Sequence, residues 1–394
     1  VCVTGLMLHD TAQYWSYFGQ FVIMILIQIG GMGVVTVSIA IAMLSGRKIG
    51  LMQRSTMCEA ISAHHVGGIV RMTGFILRTT IIIELTGAAA MFPVFCRDFG
   101  AVKGLWYSLF HAVSAFCNAG FDLLGVRSEF SSLTTYADNP VINITIMTLI
   151  VTGGIGFLTW DDIKTHKIHL KKYRMQSKVI LTVTSLLILL PALYFYFVEF
   201  SADKWSGMSV SERILGSFFQ SVTPRTAGFN TVDLTMLSEA GVFIMIILMI
   251  TGGSPGSTAG GIKTTTIAVL FSSAFSVFRR KGETNCFHRR ISDDTINHAA
   301  TILLMYLVLF LTGGIAISCM EGIPILDCLF ETASAIGTVG LTLGITTELG
   351  FASRLILIVL MFWGRVGGLT LVFAAISGKH PDFAKFPMEK ITVG

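Results

Sequence analysis

The sequence predicts an all-α membrane protein made of four parallel repeats, and three observations support this fold class. Its 394 residues are 53% apolar and only 13% charged, whereas soluble domains carry about 25% charged residues. Several apolar stretches exceed 18 residues and contain few charges, which is long enough to cross a bilayer. Four short glycine patches also recur at nearly equal spacing. Together these features indicate a multi-pass chain with an internal repeat.

The glycine patches define the repeat. Gly5, Gly120, Gly228 and Gly340 lie in the segments VTGL, CNAGFD, RTAGFN and GTVGLT, separated by 115, 108 and 112 residues. A single glycine in a membrane protein commonly serves close packing between helices. Four glycines at this spacing, each followed by a long apolar run that ends in more glycine, favour one structural unit repeated four times.

The second unit shows the order of elements within a repeat. Apolar runs at about 69–94 and 140–160 flank a shorter run at 104–116 and the patch at 117–122. At 1.5 Å per residue the long runs can cross a hydrocarbon core of about 30 Å. The short run reaches only about 18 Å, so it can enter the membrane without crossing it. We therefore predict two spanning helices with a re-entrant pore helix between them.

The third and fourth units repeat this order. Their first spans are predicted at about 179–200 and 295–320, their short helices at 211–221 and 325–335, and their second runs at 236–278 and 350–377. The first unit has only its patch and a run at about 15–44, so we expect an eighth span and a fourth short helix ahead of residue 1. The predicted repeats are residues 1–60, 61–175, 176–290 and 291–394.

The distribution of positive charge predicts the orientation. Basic residues collect in the connections between units, at Arg47, Lys48, Arg54, Arg71, Lys164, Lys167, Lys171, Lys172, Arg174, Lys178, Arg279, Arg280, Lys281, Arg289 and Arg290. The positive-inside rule makes these connections cytoplasmic and turns the glycine patches outward. Because each unit contains two spans, successive units are related by rotation about the membrane normal, unlike the inverted repeats of many secondary transporters.

This layout predicts a path for cations. Irregular backbone at membrane depth is tolerated only where it is buried in protein or lines water. Four such segments can turn their carbonyls toward one axis and replace the hydration shell of a monovalent ion. The short helices direct C-terminal ends, each carrying about half a negative charge, toward the same place. Nucleotide motifs and clusters of His or carboxylate are absent from the sequence, so we predict that the chain is not an enzyme.

The patches also resemble those of a known family. VTGL at 3–6, FCNAGFD at 116–122, TPRTAGFN at 223–230 and GTVGLT at 337–342 resemble the selectivity filters of the Trk/Ktr/HKT superfamily of potassium transporters. TGGSPGSTAGGIKT and the terminal KFPMEKITVG are similar to the Ktr pore subunit. The resemblance implies potassium selectivity, with a filter formed by Val3, Thr4, Gly5, Asn118, Ala119, Gly120, Thr226, Ala227, Gly228, Thr338, Val339 and Gly340.

The resemblance further implies the setting in which the chain works. It implies a homodimer of pore subunits in a bacterial inner (plasma) membrane, and a cytoplasmic ring of dinucleotide-fold regulatory subunits (RCK, KtrA-like). It implies no cofactor and no metal other than transported K⁺, with Na⁺ as an activator. Membrane lipids are expected partners, and nucleic acid is not. Sodium-coupled cation symport on the same scaffold is the alternative function.

A second feature lies deeper than the filter. The run at 236–278 would form a helix of about 65 Å, and its glycine-rich centre cannot remain helical, so we predict two half-helices joined by an intramembrane loop. Arg365 falls at a similar depth, where an arginine is costly and marks a functional site or pairs with a carboxylate. The resemblance implies a gate beneath the filter formed by Gly252, Gly253, Ser254, Pro255, Gly256, Ser257, Thr258, Ala259, Gly260, Gly261 and Arg365.

Several carboxylates have two interpretations. Asp10, Asp122 and Asp233 follow three of the patches, where they either concentrate cations or form turns. Glu84 and Glu331 fall within apolar stretches and need partners there. Arg365 is a candidate partner for either one.

Overall fold

The computed structural model describes residues 2–33, 36–38, 41–42, 50, 58, 68–280 and 282–367, and these are mostly helical. The helices are α1 (Thr11–Tyr14), α2 (Tyr17–Met32), α3 (Ile69–Phe99), α4 (Ala101–Phe116), α5 (Pro140–Gly154), α6 (Phe157–His166), α7 (Met175–Phe197), α8 (Val210–Val222), α9 (Glu239–Ile250), α10 (Thr264–Phe278), α11 (Asp293–Glu321), α12 (Ile325–Ile336) and α13 (Phe351–Val366). A two-stranded antiparallel hairpin, β1 (Asn285–Cys286) and β2 (Arg289–Arg290), precedes α11.

Three long helices form the predicted first spans. Val70–Phe99, Met175–Ser201 and Asp293–Glu321 are long and apolar enough to cross a membrane by length and composition. They cover the runs predicted at 69–94, 179–200 and 295–320, each with a few additional residues. Large apolar side chains lie exposed on their outer faces, among them Ile82, Leu190 and Leu304, as expected of surfaces that face hydrocarbon.

Three short helices follow these spans, as predicted. α4, α8 and α12 contain 16, 13 and 12 residues, so they extend about 18–24 Å. Each packs against the long helix before it. The start of α8 is fixed by a capping box, in which Ser209 and Glu212 each bind the other's main-chain N–H, while α12 begins directly after Pro324. The sequence placed these helices to within three residues at each end.

The second span of the second unit is not one helix, which corrects the prediction for 140–160. α5 and α6 meet at a bend of 98°. Gly156 lies between them with φ +90°, a conformation that side-chain-bearing residues rarely adopt. Two glycines immediately before the bend, Gly153 and Gly154, close α5. Because the run is mostly apolar, its composition does not indicate that the helix breaks here.

The other second spans are also short or divided. α9 and α10 are separated by residues 251–263, which confirms the predicted pair of half-helices. α2 ends at Met32 and α13 at Val366, and each is followed by a glycine with φ +85°, Gly33 and Gly367. These helices therefore stop before the predicted ends at 44 and 377. Residues 368–377, like Arg47, Lys48, Arg54, Lys281 and the terminal KFPMEKITVG, lie outside the described residues.

Candidate functional site: four glycine segments above an intramembrane loop

The four predicted filter segments share one backbone conformation. The first residue of each has a positive φ, at Val3 (55°), Asn118 (54°), Thr226 (67°) and Thr338 (52°), and so has the glycine two residues later, at Gly5 (86°), Gly120 (73°), Gly228 (82°) and Gly340 (93°). Positive φ is costly for valine and threonine, so repeating it four times requires surroundings that hold it. The four segments, far apart in sequence, therefore have the same local structure.

The glycines lie against one another in a closed order. A Cβ added to Gly5 would contact the carbonyl oxygen of Ala119, and one added to Gly120 would lie 2.8 Å from that of Ala227. In the same way, Gly228 faces the carbonyl oxygen of Val339, and Gly340 returns to that of Thr4. Each segment thus adjoins the next, and the last adjoins the first. Glycine is needed at these positions because no side chain fits between the backbones.

Each described short helix is tied to the segment that follows it. The N–H groups of Ala119 and Val339 donate to the carbonyl oxygens of Ser114 and Ser334, both at 2.8 Å. Ser114 Oγ also donates to Phe121 O at 2.6 Å, and Ser334 Oγ accepts from Gly340 N at 3.0 Å.

Thr223 plays the same part in the third unit. Its hydroxyl donates to Phe229 O, and its carbonyl oxygen accepts from Ala227 N at 3.0 Å. These three hydroxyls were not predicted from the sequence, although each precedes its glycine by five or six residues.

A small cavity lies on one side of the glycines. It measures about 210 Å³ and is bordered by the four glycines together with Asp122 and Asp233. Both aspartates also make turn contacts: Asp122 accepts from Leu124 N at 2.9 Å and Asp233 from Thr235 N at 3.0 Å. Concentrating cations and forming turns, the two interpretations of Asp122 and Asp233, are therefore compatible.

Asp10 has a structural role. It caps α1 and accepts from Phe130 N at 3.0 Å, and it does not border the cavity.

Burial, with a smaller contribution from the nearby Asp10 carboxylate, raises the pKa of Asp122 to about 7. The carboxyl group of Asp122 therefore changes charge near neutral pH.

The predicted loop packs directly against the filter segments. Thr258 Oγ1 lies 3.0 Å from Phe116 O, the end of α4, and 2.9 Å from Asn118 Oδ1. A Cβ added to Gly260 would meet the Thr338 side chain. The loop thus contacts the first residues of two of the four segments.

Backbone hydrogen bonds fasten the loop to the corner between α5 and α6. Ser254 N donates to Gly154 O at 3.0 Å, and Thr258 N donates to Gly153 O at 3.2 Å. In return, Phe157 N donates to a loop carbonyl, Gly256 O, at 2.8 Å. On the opposite side, Gly261 N donates to Gly364 O at 3.2 Å. The broken second span of the second unit therefore provides the loop with its support.

Arg365 joins the loop to a third element. Its guanidinium donates to Thr258 O in the loop and to Gly30 O and Gly31 O at the end of α2, the last at 3.1 Å. Within the described residues its hydrogen-bond partners are main-chain carbonyls, so pairing with a carboxylate is not how the charge is accommodated. The predicted gate residues are therefore brought together, with α2 as an unforeseen participant.

Glu84 and Glu331 find other partners, which corrects the idea that Arg365 serves one of them. Gln28 Nε2 donates to Glu84 Oε2 at 3.2 Å. Glu331 accepts from the hydroxyls of Thr342 and Thr346, the latter at 2.8 Å. Both carboxylates are buried behind the glycine segments, where they contribute to packing and hydrogen bonding.

A second positively charged side chain at the loop, Lys263, was not predicted from the sequence. Its Nζ donates to Ala259 O at 2.8 Å and lies 3.5 Å from Gly260 O. Those two carbonyls belong to the C-terminal half of the loop, which leads into α10. Lys263 and Arg365 thus place two positive side chains at the loop, each satisfied by main-chain oxygens.

The glycine that ends the second apolar run of each predicted unit occurs as a pair in three of them. Gly30–Gly31, Gly153–Gly154 and Gly252–Gly253 occupy corresponding places in the first three units. In the fourth unit the pair is Gly364–Arg365. Arg365 therefore stands where the other units have a residue without a side chain.

Comparison with known proteins assigns the chain to a family. The sequence matches TrkH, a family described as cation transport protein, over residues 1–383. The chain belongs to the TrkH family. This confirms the resemblance drawn from the glycine patches, and membership in a transport family confirms that the chain is not an enzyme.

Individual relatives agree with this assignment. The chain is 39% identical over 400 residues to the potassium/sodium uptake protein NtpJ of Enterococcus hirae, matching 100% of the chain and 87% of that protein. It is 39% identical over 393 residues to the Ktr system potassium uptake protein B of Bacillus subtilis, again matching 100% and 87%. The crystal structure of the potassium transporter TrkH from Vibrio parahaemolyticus superimposes with a TM-score of 0.72 at 18% identity, covering 95% of this chain and 75% of that one. That structural match establishes the fold.

Proposed function

We propose that this chain takes up potassium through a carbonyl-lined selectivity filter formed by the four glycine segments. The observation that carries the proposal is the shared positive-φ pattern of the four segments, together with their closed order around the glycines. Backbone of this kind directs carbonyl oxygens toward a common path, where they replace the hydration shell of K⁺. The names of relatives that are 39% identical, a potassium/sodium uptake protein and a potassium uptake protein, support the same ion.

The proposed architecture is pseudo-fourfold. In it, four parallel repeats, each a span, a pore helix, a filter segment and a second span, surround one path, with the boundaries predicted from the sequence. Three described units with this order support it. The short helices end at the filter segments, so their negative C-terminal ends favour a cation there.

Replacement of a filter glycine tests the filter. Gly228→Ser would place a side chain against Val339 O at a residue with φ +82°, a conformation that costs a residue with a Cβ about 1–2 kcal/mol. Preference for potassium over sodium should fall by about tenfold, which corresponds to 1.4 kcal/mol. The measurement is rubidium and sodium uptake in cells that lack their own potassium uptake systems.

Gly207→Ser is the matched control for this substitution. Gly207 has open space around its Cβ position and an ordinary φ, so the same change there should leave the ion preference unaltered. An unchanged preference in Gly228→Ser, with the variant present in the membrane at the parental level, would contradict the filter assignment.

The proposed gate consists of the loop at 252–261 and Arg365. Its support is the contact of the loop with Asn118 and Thr338, the first residues of two of the glycine segments. Gly253 N donates to Gly260 O at 3.3 Å, so residues 254–259 can be removed and the adjoining ends closed without stretching the chain. This deletion should raise rubidium uptake. Uptake at the parental level would refute the gate.

Sodium coupling is the second candidate function. It is favoured by one observation, the name of a relative that is 39% identical, a potassium/sodium uptake protein. Rubidium uptake with and without external sodium separates the two functions. A strict requirement for sodium, accompanied by sodium entry in fixed proportion, would favour symport.

We further propose the assembly that the family resemblance implies. A homodimer in the bacterial plasma membrane would bind a cytoplasmic ring of dinucleotide-fold regulatory subunits. The name of one relative, Ktr system potassium uptake protein B, supports a system of more than one subunit. Co-purification of the full-length chain with such a subunit, and its loss when the basic connections are neutralised, would test this arrangement.

A further inference from the structure

The corner between α5 and α6 holds the loop at 252–261. The first residue of α6, Phe157, donates its N–H to Gly256 O at 2.8 Å. The neighbouring Gly156 leaves no room for a Cβ, which would lie 2.7 Å from Pro255 O. The tip of the loop is therefore packed against the start of α6, and a displacement of α6 cannot leave the loop unaffected.

Trp160 braces this corner. Its Nε1 donates to Thr152 O in α5 at 3.0 Å, which ties the two sides of the 98° bend together. Its ring lies 5.6 Å from that of Phe116, the last residue of α4. Trp160 and Phe157 are both buried and pack edge to face at 5.2 Å. The corner is thus a rigid unit joined to the helix that precedes the second filter segment.

The other end of α6 is held by a buried carboxylate. Asp162 is only 1% exposed. It accepts from Ser177 Oγ at 2.6 Å and from Arg174 N at 3.1 Å, and Arg174 Nε lies 3.4 Å from its second oxygen. All of these partners are at or near the start of α7. Hydrogen bonds to a buried charged group are among the stronger ones in proteins, so Asp162 fixes α6 to α7.

We propose that α6 is a coupling element of the gate and that Asp162 is its positioning residue. The inference rests on the proposed role of the loop as the gate. Asp162 anchors α6 to the start of α7, Trp160 stiffens the corner, and the corner holds the loop tip. Releasing the Asp162 anchor loosens the corner and lets the loop leave the path more often. A movement of α7, for whatever cause, would reach the loop by the same route.

Asp162→Asn in the full-length chain tests this coupling. Rubidium uptake should rise by about tenfold, the effect of losing one charge-assisted hydrogen bond, while the potassium-to-sodium preference stays at the parental value because the filter is untouched. Asp161→Asn is the matched control. It makes the same change one residue earlier on α6, at a side chain that is 33% exposed and pairs with Arg174 at the surface, so uptake should remain at the parental level.

Two further variants separate positioning from general weakening of the fold. Ser177→Ala removes the same hydrogen bond from the α7 side, so it should raise uptake and add little when combined with Asp162→Asn. If Asp162→Asn does not reach the membrane, rubidium uptake by Ser177→Ala alone tests the coupling. In the chain lacking residues 254–259, Asp162→Asn should have no effect, because there is no loop left to release.

The outcomes distinguish the coupling from the gate itself. If the deletion raises uptake but Asp162→Asn and Ser177→Ala do not, the coupling is wrong and the gate stands. If Asp162→Asn raises uptake equally in the deleted chain, its effect does not pass through the loop and the coupling is also wrong. If the deletion has no effect, the gate proposal fails first.

Discussion

Replacing Arg365 by glutamine removes the cation that joins the loop to α2. Arg365 donates to Thr258 O and to Gly30 O and Gly31 O. A hydrogen bond to a charged group contributes about 1.5–3 kcal/mol. Loss of one such bond between the loop and α2 would raise the population of the open arrangement by about 10- to 150-fold. In the proposed gate, the change also removes a positive charge from the path of a cation, which acts in the same direction.

The assay is rubidium uptake over time in cells lacking their own potassium uptake systems, normalised to the amount of protein in the membrane. Arg354→Gln is the control, since Arg354 lies on the same helix, α13, and also donates to one main-chain carbonyl, Thr347 O at 2.9 Å. Arg365→Gln should raise uptake at least about tenfold, and Arg354→Gln should not. Equal uptake in the two variants would refute the reasoning that Arg365 holds the gate closed.

Two other predictions follow from the site. Lys263→Met should also raise uptake, by less than Arg365→Gln, because Lys263 binds Ala259 O within the loop itself rather than another helix; a decrease in uptake would contradict this role. Asp122 should make uptake depend on external pH. Since burial raises its pKa to about 7, its carboxyl is neutral below that pH and negative above it, so uptake should increase between about pH 6 and about pH 8 and Asp122→Asn should flatten the profile. An unchanged profile in Asp122→Asn would assign the titration to another group.

The sequence was sufficient to locate the four glycine segments that the structure brings together. Their glycines recur at regular spacing, three of them follow short helices, and each must adopt a backbone conformation that other residues resist. This requirement on the backbone conformation is local, so a short segment of sequence is enough to recognise it. The intramembrane loop was visible for a similar reason, because GGSPGSTAGG cannot continue a helix.

The sequence could not reveal the corner at Gly156. The run from 140 to 160 is mostly apolar, carries no charge and has the length of a span. A glycine inside such a run is equally typical of helix packing. What bends the chain is the contact with Pro255 and Gly256, about 100 residues away in sequence. The partners of Arg365 also could not be predicted, because they are main-chain carbonyls of distant residues. Every residue has such a carbonyl, so the sequence pattern does not indicate which ones are used.

The single arginine at the fourth glycine pair has a consequence for how such a path can be built. If four identical subunits surrounded a path, one arginine per subunit would place four guanidinium groups in one cross-section, where like charges a few ångströms apart repel strongly. In the proposed pseudo-fourfold arrangement, a single chain with four unequal repeats avoids this repulsion. Gly31, Gly154 and Gly253 stand at the corresponding positions of the other three units, and Arg365 alone carries a side chain there. In that arrangement, divergence of the repeats within one polypeptide would permit one arginine at this level, which exact rotational symmetry would forbid.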